Sequence, residues 1–269
     1  MKWTPILLAA FVASSEAAVY TMNLTGAASQ SPADGVDGWV QSEPNYVDGE
    51  VYPRSFIHQL GSSPALALGG YYDSEAGSGS TIYMSQDVSP MYFRAASLGL
   101  NFSLIDSDPI DADRNQFSIG FYDGSGNELI SLVFRPTSQS ATPDITTATW
   151  GTYLSSGGVL GPAIGGVFEG DAVSGGVYSL LLTTVPVSGG GVGYNVNLGG
   201  QTTTGTLSGM GGAQIETVRL GWTSDAGETL GTNFLAVSNM VVSVPEPSSA
   251  LLGMAALLPL ALRRRRSRI

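Results

Sequence analysis

The stretch Phe117-Ser-Ile-Gly-Phe-Tyr-Asp-Gly-Ser-Gly-Asn-Glu-Leu-Ile-Ser-Leu-Val-Phe134 decides the fold class. Phe117, Ile119 and Phe121 alternate with small or polar residues, which is the period of a strand with one buried face. Residues 123–127 separate this run from a second apolar run and contain two glycines, which supply the positive φ angles that a tight turn needs. The pattern therefore predicts an antiparallel β-hairpin.

The same strand signals recur on both sides of the hairpin, and no stretch of the body has sustained helical periodicity. Strands are expected at residues 81–85, 92–95, 98–105, 177–184, 194–198, 201–207, 215–222 and 234–242. The glycine- and serine-rich segments 155–166 and 187–193 are expected to be long surface loops. Many antiparallel strands over about 225 residues predict an all-β fold, namely a jelly-roll-type antiparallel β-sandwich. A β-helix and a two-domain arrangement are the alternatives.

The composition fits a globular β-rich body. Hydrophobic residues make up 43% of the chain, which is enough for a sizeable core, while charged residues make up only 12%. Cysteine is absent, which excludes disulfides, thiol catalysis and zinc fingers. His58 is the only histidine, so multi-histidine metal sites are excluded, and we expect His58 to be structural.

The charge is distributed unevenly along the chain. The net charge is −11, and residues 18–244 contain 20 acidic residues and 5 arginines, a net charge of −15 for the body. Such a body repels phosphates, so a nucleic-acid partner is excluded. It suits a solvated extracellular protein or one that collects divalent cations.

The N-terminal segment has the layout of a secretory signal peptide. Lys2 precedes a short apolar run, and small residues follow it in Ser14-Ser15-Glu16-Ala17-Ala18. We expect cleavage after Ala17, with cleavage after Ala18 as the next choice and a retained anchor as the alternative. Residues 1–17 are therefore assigned to the signal peptide and residues 18–243 to the sandwich domain.

Residues 244–269 combine three elements in a fixed order. Pro245-Glu246-Pro247 is followed by an uncharged apolar run at 250–262 and then by the cluster Arg263, Arg264, Arg265 and Arg266. The apolar run predicts a short hydrophobic helix that can enter a membrane only marginally, and the arginines should stay cytoplasmic. An ordinary tail anchor is the alternative.

This tail resembles the PEP-CTERM sorting signal of Gram-negative bacteria. The resemblance implies a secretion translocon and an exosortase as partners, transient insertion in the inner membrane, processing near Pro-Glu-Pro, and a final place at the cell surface or in the matrix. It also implies a link to exopolysaccharide or biofilm matrix. The body, with Leu100-Asn-Phe-Ser-Leu104 and the closing Asn233-Phe-Leu-Ala-Val237, resembles concanavalin-like and laminin-G-like sandwiches in its texture.

Four carboxylates lie close together in the chain, just after a predicted strand. Asp106, Asp108, Asp111 and Asp113 would repel one another unless solvated or bridged, and calcium accepts six to eight oxygen ligands on irregular loops. The spacing is not that of an EF-hand. These residues are candidate calcium ligands, with a solvated acidic loop as the alternative, and no other cofactor is expected.

The sequence contains no recognisable catalytic constellation. It lacks a Glu-x-Asp-x-x-Glu strand motif and a Gly-x-Ser-x-Gly elbow, and Glu216 and Glu228 have no evident partner. Trp39 and Trp150 lie beside turn residues and would stack on sugar rings if exposed. The sequence thus predicts an exported, non-enzymatic surface or matrix protein whose body binds polysaccharide. The alternative is a secreted glycan hydrolase or lyase on a concanavalin-like sandwich.

Overall fold

The computed structural model describes residues 16–42, 46–47, 51–52, 55–69, 81–106, 115–136, 148–170, 176–223 and 233–245. Within these ranges the chain is built from strands, with short 3₁₀ turns at Val36–Gly38 and Phe93–Ala95. The strands are β1 Glu16–Thr21, β2 Val40–Gln41, β3 Tyr46–Val47, β4 Val51–Tyr52, β5 Ser55–Leu60, β6 Ser63–Gly69, β7 Thr81–Tyr92, β8 Ser97–Asp106, β9 Gln116–Tyr122, β10 Glu128–Pro136, β11 Ala148–Ser156, β12 Val159–Gly170, β13 Tyr178–Val187, β14 Gly191–Leu198, β15 Gln201–Leu207, β16 Gln214–Thr223 and β17 Asn233–Pro245.

Two large antiparallel sheets pack face to face. The eight-stranded sheet has the order β15-β14-β13-β8-β17-β6-β5, with β1 also paired to β17. The seven-stranded sheet has the order β12-β11-β10-β9-β16-β7-β2, and β3 and β4 form a small hairpin of their own. The predicted antiparallel β-sandwich is confirmed.

The predicted hairpin lies in the middle of the seven-stranded sheet. Phe117, Ile119 and Phe121 are fully buried on one face, as their alternation predicts. They are paired with Phe134, Leu132 and Ile130 of β10 respectively. The Phe134 ring meets Phe102 of the opposite sheet at a centroid distance of 5.0 Å, so these rings join the two layers of the core. Each buried large apolar side chain contributes roughly 1.5–3 kcal/mol, so this layer stabilises the packing of the two sheets.

Two predicted loops are strands instead. Residues 155–166 include the last residues of β11 and the first residues of β12. Gly157 and Gly158 join the two strands at φ angles of 60° and 75°. Residues 187–193 contain only a three-residue turn, in which Gly189 and Gly190 have φ angles of 83° and 76°. Glycine reaches these angles without a Cβ clash, so the glycines shorten the turns rather than lengthen the loops.

Other sequence predictions differ in detail. The expected strand at 92–95 is absent, because β7 continues to Tyr92 and Phe93–Ala95 form a 3₁₀ turn. Strands β5, β6 and β11 had no clear signal in the sequence. In β6 the residues Ala65–Leu68 are all buried, so both faces are apolar and the alternation is lost.

Candidate functional site

An open polar depression lies at one end of the seven-stranded sheet. It has a volume of about 390 Å³ and is lined by Asp123, Gly124, Ser125, Gly212, Gln214 and Glu216. Three of these residues belong to the turn between β9 and β10, and the others belong to the segment that leads into β16 and to the start of that strand. We call this the turn depression.

Asp123 forms part of one wall of the turn depression and fixes the conformation of its turn by hydrogen bonds. Its Oδ1 accepts hydrogen bonds from the backbone N–H groups of Ser125 at 2.9 Å and Asn127 at 2.8 Å, and its Oδ2 accepts one from Asn127 Nδ2 at 2.9 Å. The Asn127 side chain, with help from both backbone donors, holds the pKa of Asp123 below its ordinary value. This carboxylate is therefore charged at neutral pH and organises its own turn, as aspartate does in Asx turns.

Glu216 forms the opposite wall. The register between β16 and β7 shifts between Ile215 and Thr217, and such bulges re-aim side chains. The Glu216 carboxylate lies directly over Gly124, because a Cβ built on Gly124 would be 2.5 Å from Glu216 Oε2. No hydrogen bond joins this carboxylate to another residue within the described ranges. Gly124 thus provides the space that the Glu216 side chain occupies.

Arg219 of β16 contacts the turn between β9 and β10. The guanidinium of Arg219 stacks 4.5 Å from the ring centroid of Tyr122 and 5.6 Å from that of Tyr83. Its Nη1 donates a hydrogen bond to the Gly126 carbonyl at 3.3 Å. Burial is the main cause that raises the pKa of the Tyr122 hydroxyl above its ordinary value, and the negative charge of Glu128 adds to it. The hydroxyl therefore stays protonated. Arg219 is a positive charge held by cation–π contacts close enough to Asp123 to favour its charged form.

An exposed aromatic residue is paired with one of the residues that line the turn depression. Tyr92 is paired with Gln214 across β7 and β16, and directly opposite residues place their side chains on the same face. Tyr92 is 52% exposed, and the guanidinium carbon of Arg94 lies 5.0 Å from the centroid of its ring. No local sequence pattern points to Tyr92, Gln214 or the contact of Glu216 with Gly124, because these residues come together only through the register of β16.

The structure contradicts the proposed stacking role of Trp39 and Trp150. Both side chains are fully buried. Trp39 Nε1 donates to the Tyr20 hydroxyl at 2.8 Å, and Trp150 Nε1 donates to the Asn115 carbonyl at 3.0 Å. A ring without exposed area cannot stack on a ligand, so both tryptophans are core residues.

The candidate calcium ligands fall almost entirely outside the described residues. The backbone of Asp106 ends β8, where it pairs with Asn233, while Asp108, Asp111 and Asp113 lie outside the described ranges. Within those ranges no three acidic or histidine side chains are placed to hold a metal ion. The calcium site remains a prediction.

The lone histidine lies in the sandwich, and most of the predicted sorting tail lies outside the described ranges. His58 lies on β5, where its ring meets Phe234 at a centroid distance of 5.0 Å, and burial lowers its pKa. Pro245 ends β17, whereas Glu246, Pro247 and the arginines Arg263, Arg264, Arg265 and Arg266 lie outside the described ranges. No helix in the described part of the chain has the length and apolar character needed to span a membrane.

Comparison with known proteins defines the fold class and nothing finer. The chain is similar to the solved CBM2 module of the evolved Dit of Lactobacillus casei BL23 phage J-1, at 12% identity and a TM-score of 0.50, covering 87% of this chain and 97% of that one. The carbohydrate recognition domain of Emp46p is similar at 9% identity and a TM-score of 0.49, covering 85% and 97%. A family 7 alginate lyase, A1-II′, is similar at 14% identity and a TM-score of 0.45, covering 81% and 98%.

The likeness to the CBM2 module supports the jelly-roll-type antiparallel sandwich fold. No protein-family model matches the sequence, and no curated protein matches it significantly.

Proposed function

We propose that the chain is an exported, non-enzymatic surface or extracellular-matrix protein whose sandwich body binds polysaccharide. The observation that carries this proposal is the turn depression, with carboxylate, amide and hydroxyl groups on its walls and the exposed Tyr92 paired with Gln214 of its lining. Sugar hydroxyls both donate and accept hydrogen bonds, and the apolar faces of sugar rings pack on aromatic rings.

The charges of the site select the class of polysaccharide. Asp123 and Glu216 present acceptors, while Gln214 and Ser125 present both donors and acceptors. The body carries a net charge of −15, so an anionic chain would be repelled as it approached. We therefore propose a neutral polysaccharide as the ligand. The sandwich fold shared with a CBM2 module supports a binding role at the level of architecture.

Affinity electrophoresis through gels that contain a neutral polysaccharide tests this proposal. Retardation of the wild-type chain should be reduced in Tyr92→Ala and in Gln214→Ala. Gln59→Ala is the matched control, because Gln59 is exposed on β5 of the other sheet and should leave retardation unchanged. Equal retardation of all four chains, or none in any neutral polysaccharide, would overturn the assignment of the site.

We further propose that the tail at 244–269 sorts the protein. The order Pro-Glu-Pro, apolar run and arginine cluster, together with the N-terminal signal, supports transfer through the translocon, a pause in the inner membrane and processing by an exosortase. Arginine at the centre of a membrane costs about 2.5–3.5 kcal/mol on insertion scales, so Arg263, Arg264, Arg265 and Arg266 should stop transfer. Glu246→Ala, or loss of the exosortase, should leave uncut precursor in the inner membrane. A surface protein that still carries these arginines would instead favour an ordinary tail anchor.

A secreted glycan-active enzyme is the second candidate. It is favoured by one observation, namely that two carboxylates, Asp123 and Glu216, line the same depression. Against it, Asp123 accepts three hydrogen bonds within its turn and its pKa is lowered, which makes it a poor proton donor. Release of new reducing ends or unsaturated sugars by the wild-type chain, abolished in Glu216→Gln, would favour the enzyme over the binding protein.

A further inference from the structure

The outer edges of the two sheets differ in how well they are protected against pairing with another strand. Exposed edges usually carry charges, prolines or bulges, or are short or covered. The edge strand β2 has only two residues, and β1 contains a register shift between Ala18 and Tyr20. The edge strand β12 contains Pro162 and faces three register shifts. The edge strand β5 is covered, since Gln30 and Ala33 donate to its carbonyls and Ile57 donates to Ser31.

Within the described ranges strand β15 has none of these protections on its outer backbone groups. The Thr203 side chain donates a hydrogen bond to the Ile164 carbonyl of β12 at 2.9 Å, and this contact leaves the outer groups of Thr202, Thr204 and Thr206 open. The seven residues of β15, Gln-Thr-Thr-Thr-Gly-Thr-Leu, pair with β14 in an unbroken register and include no charge and no proline. Residues 172–215, which contain β13, β14 and β15, hold no charged residue at all in a chain of net charge −11. Two acidic copies of this chain could therefore approach along this edge without bringing like charges together.

The geometry of the hairpin identifies the backbone groups on this edge. Gly199 and Gly200 form a two-residue turn, so Leu198 and Gln201 form the hydrogen-bonded pair that closes it. Alternation then directs the backbone N–H and C=O groups of Thr202, Thr204 and Thr206 away from β14. All three residues are exposed, and within the described ranges no hydrogen bond joins these groups to another residue.

We propose that β15 pairs antiparallel with β15 of a second copy, with the two-fold axis at Thr204. In this register Thr204 faces its counterpart, and Thr202 faces Thr206 of the other copy. Each of these three residue pairs exchanges two hydrogen bonds, so every backbone group left open on the edge is used. The contact is isologous, and it joins the two eight-stranded sheets into one continuous sheet.

Disulfide cross-linking of the whole chain in detergent tests the pairing and its register. The sequence has no cysteine, so any disulfide must form between the introduced residues. Opposed residues in a hydrogen-bonded pair have Cα atoms about 5.5 Å apart, within the disulfide range of about 4.4–6.8 Å. Thr204→Cys should therefore give a covalent dimer under mild oxidation. Thr202→Cys and Thr206→Cys should cross-link when mixed and hardly at all alone. Thr183→Cys, on the same sheet face but two strands inward, is the control.

A second measurement does not depend on an introduced cysteine. Thr204→Lys places like charges opposite each other at the axis and should shift the chain to monomer in sedimentation. The double variant Thr202→Lys/Thr206→Glu pairs each lysine with a glutamate of the other copy and should stay dimeric. Both variants should keep the far-UV circular dichroism spectrum of the wild type, since these side chains are exposed.

Several outcomes would overturn the proposal. Cross-linking of Thr204→Cys no greater than that of Thr183→Cys would exclude the pairing. Cross-linking of Thr202→Cys alone as strong as in the mixture would exclude the register. The edge would instead be assigned to a glycan by two results together. The wild type would be monomeric in sedimentation, and in the Thr204→Cys variant only added neutral polysaccharide would protect the new thiol from maleimide.

Discussion

The backbone of Ala17 pairs with that of Val244 across the antiparallel strands β1 and β17. Strand β1 thus begins where β17 finishes, at one end of this pair of strands. The predicted signal-peptide cleavage site therefore lies beside the predicted start of the sorting tail. A sandwich with this arrangement can fold while both ends of its precursor are held at one membrane surface.

We expect both ends of the exported protein to be trimmed. Its intact mass should correspond to a chain that starts at Ala18 or Val19 and ends near Pro245-Glu246-Pro247. Cleavage after Ala17 leaves the pairs of Ala18, Tyr20 and Thr21 with β17 in place, so the sheet should survive processing. An exported chain that begins at Met1 would contradict the signal-peptide assignment.

The variant Tyr20→Phe should destabilise the fold. The Tyr20 hydroxyl donates to Asp37 Oδ2 at 2.7 Å and accepts from the buried Trp39 Nε1 at 2.8 Å. Its loss leaves a buried indole N–H without a partner, which costs about 1–3 kcal/mol. Urea unfolding should show this loss, whereas the control Tyr92→Phe should be near neutral because its ring is half exposed.

The same tyrosine gives a pH dependence on the alkaline side. Burial, followed by the hydrogen bond to Asp37, raises the pKa of Tyr20 above its ordinary value of 10.0. A group with a raised folded-state pKa holds its stabilisation below the unfolded pKa and loses it as the pH rises. The stability of the wild type should therefore fall above about pH 10, and the fall should be smaller in Tyr20→Phe. Identical alkaline slopes in the two chains would contradict this coupling.

Two glycines of the β9–β10 hairpin should respond differently to substitution by alanine. A Cβ on Gly120 would lie 2.5 Å from the Ile130 carbonyl oxygen and 2.5 Å from Ser131 Cβ. Relieving this clash would require the backbones of β9 and β10 to move apart, which would weaken their hydrogen bonds. Gly120→Ala should therefore lower the free energy of unfolding by about 1–3 kcal/mol. Gly124→Ala meets only the flexible end of Glu216. It should cost about 0.5 kcal/mol or less while reducing retardation by neutral polysaccharide. The reverse order of stabilities would disprove the assigned contacts.

Calcium, if it binds at Asp106, Asp108, Asp111 and Asp113, should raise the melting temperature by mass action. Millimolar calcium should shift Tm upward, a chelator should reverse the shift, and Asp108→Asn/Asp111→Asn should abolish it. A Tm that responds to neither calcium nor chelator would leave these residues as a solvated acidic loop.

Much of the fold could be predicted from local patterns. The alternation in β9 and the glycine-rich turn after it correctly predicted the central hairpin, and the ranges of β15 and β16 were correct to within one residue. The glycine-rich segments misled the prediction at β11–β12 and β13–β14, because glycine marks both loose loops and the tightest turns. The site was not predictable, since Glu216 and Gly124 are brought together by strand pairing between distant parts of the chain.

The sequence by itself determined the strands, the tight turns and the acidic, cysteine-free character of the body, because these depend on neighbouring residues and on composition. Only the tertiary structure decided that Trp39 and Trp150 are buried while Tyr92 is exposed, and that β15 is the unprotected edge. Exposure and edge position depend on which distant strands pair and in which register. That register is set by the packing of both inner faces at once, and no short segment of the chain contains it.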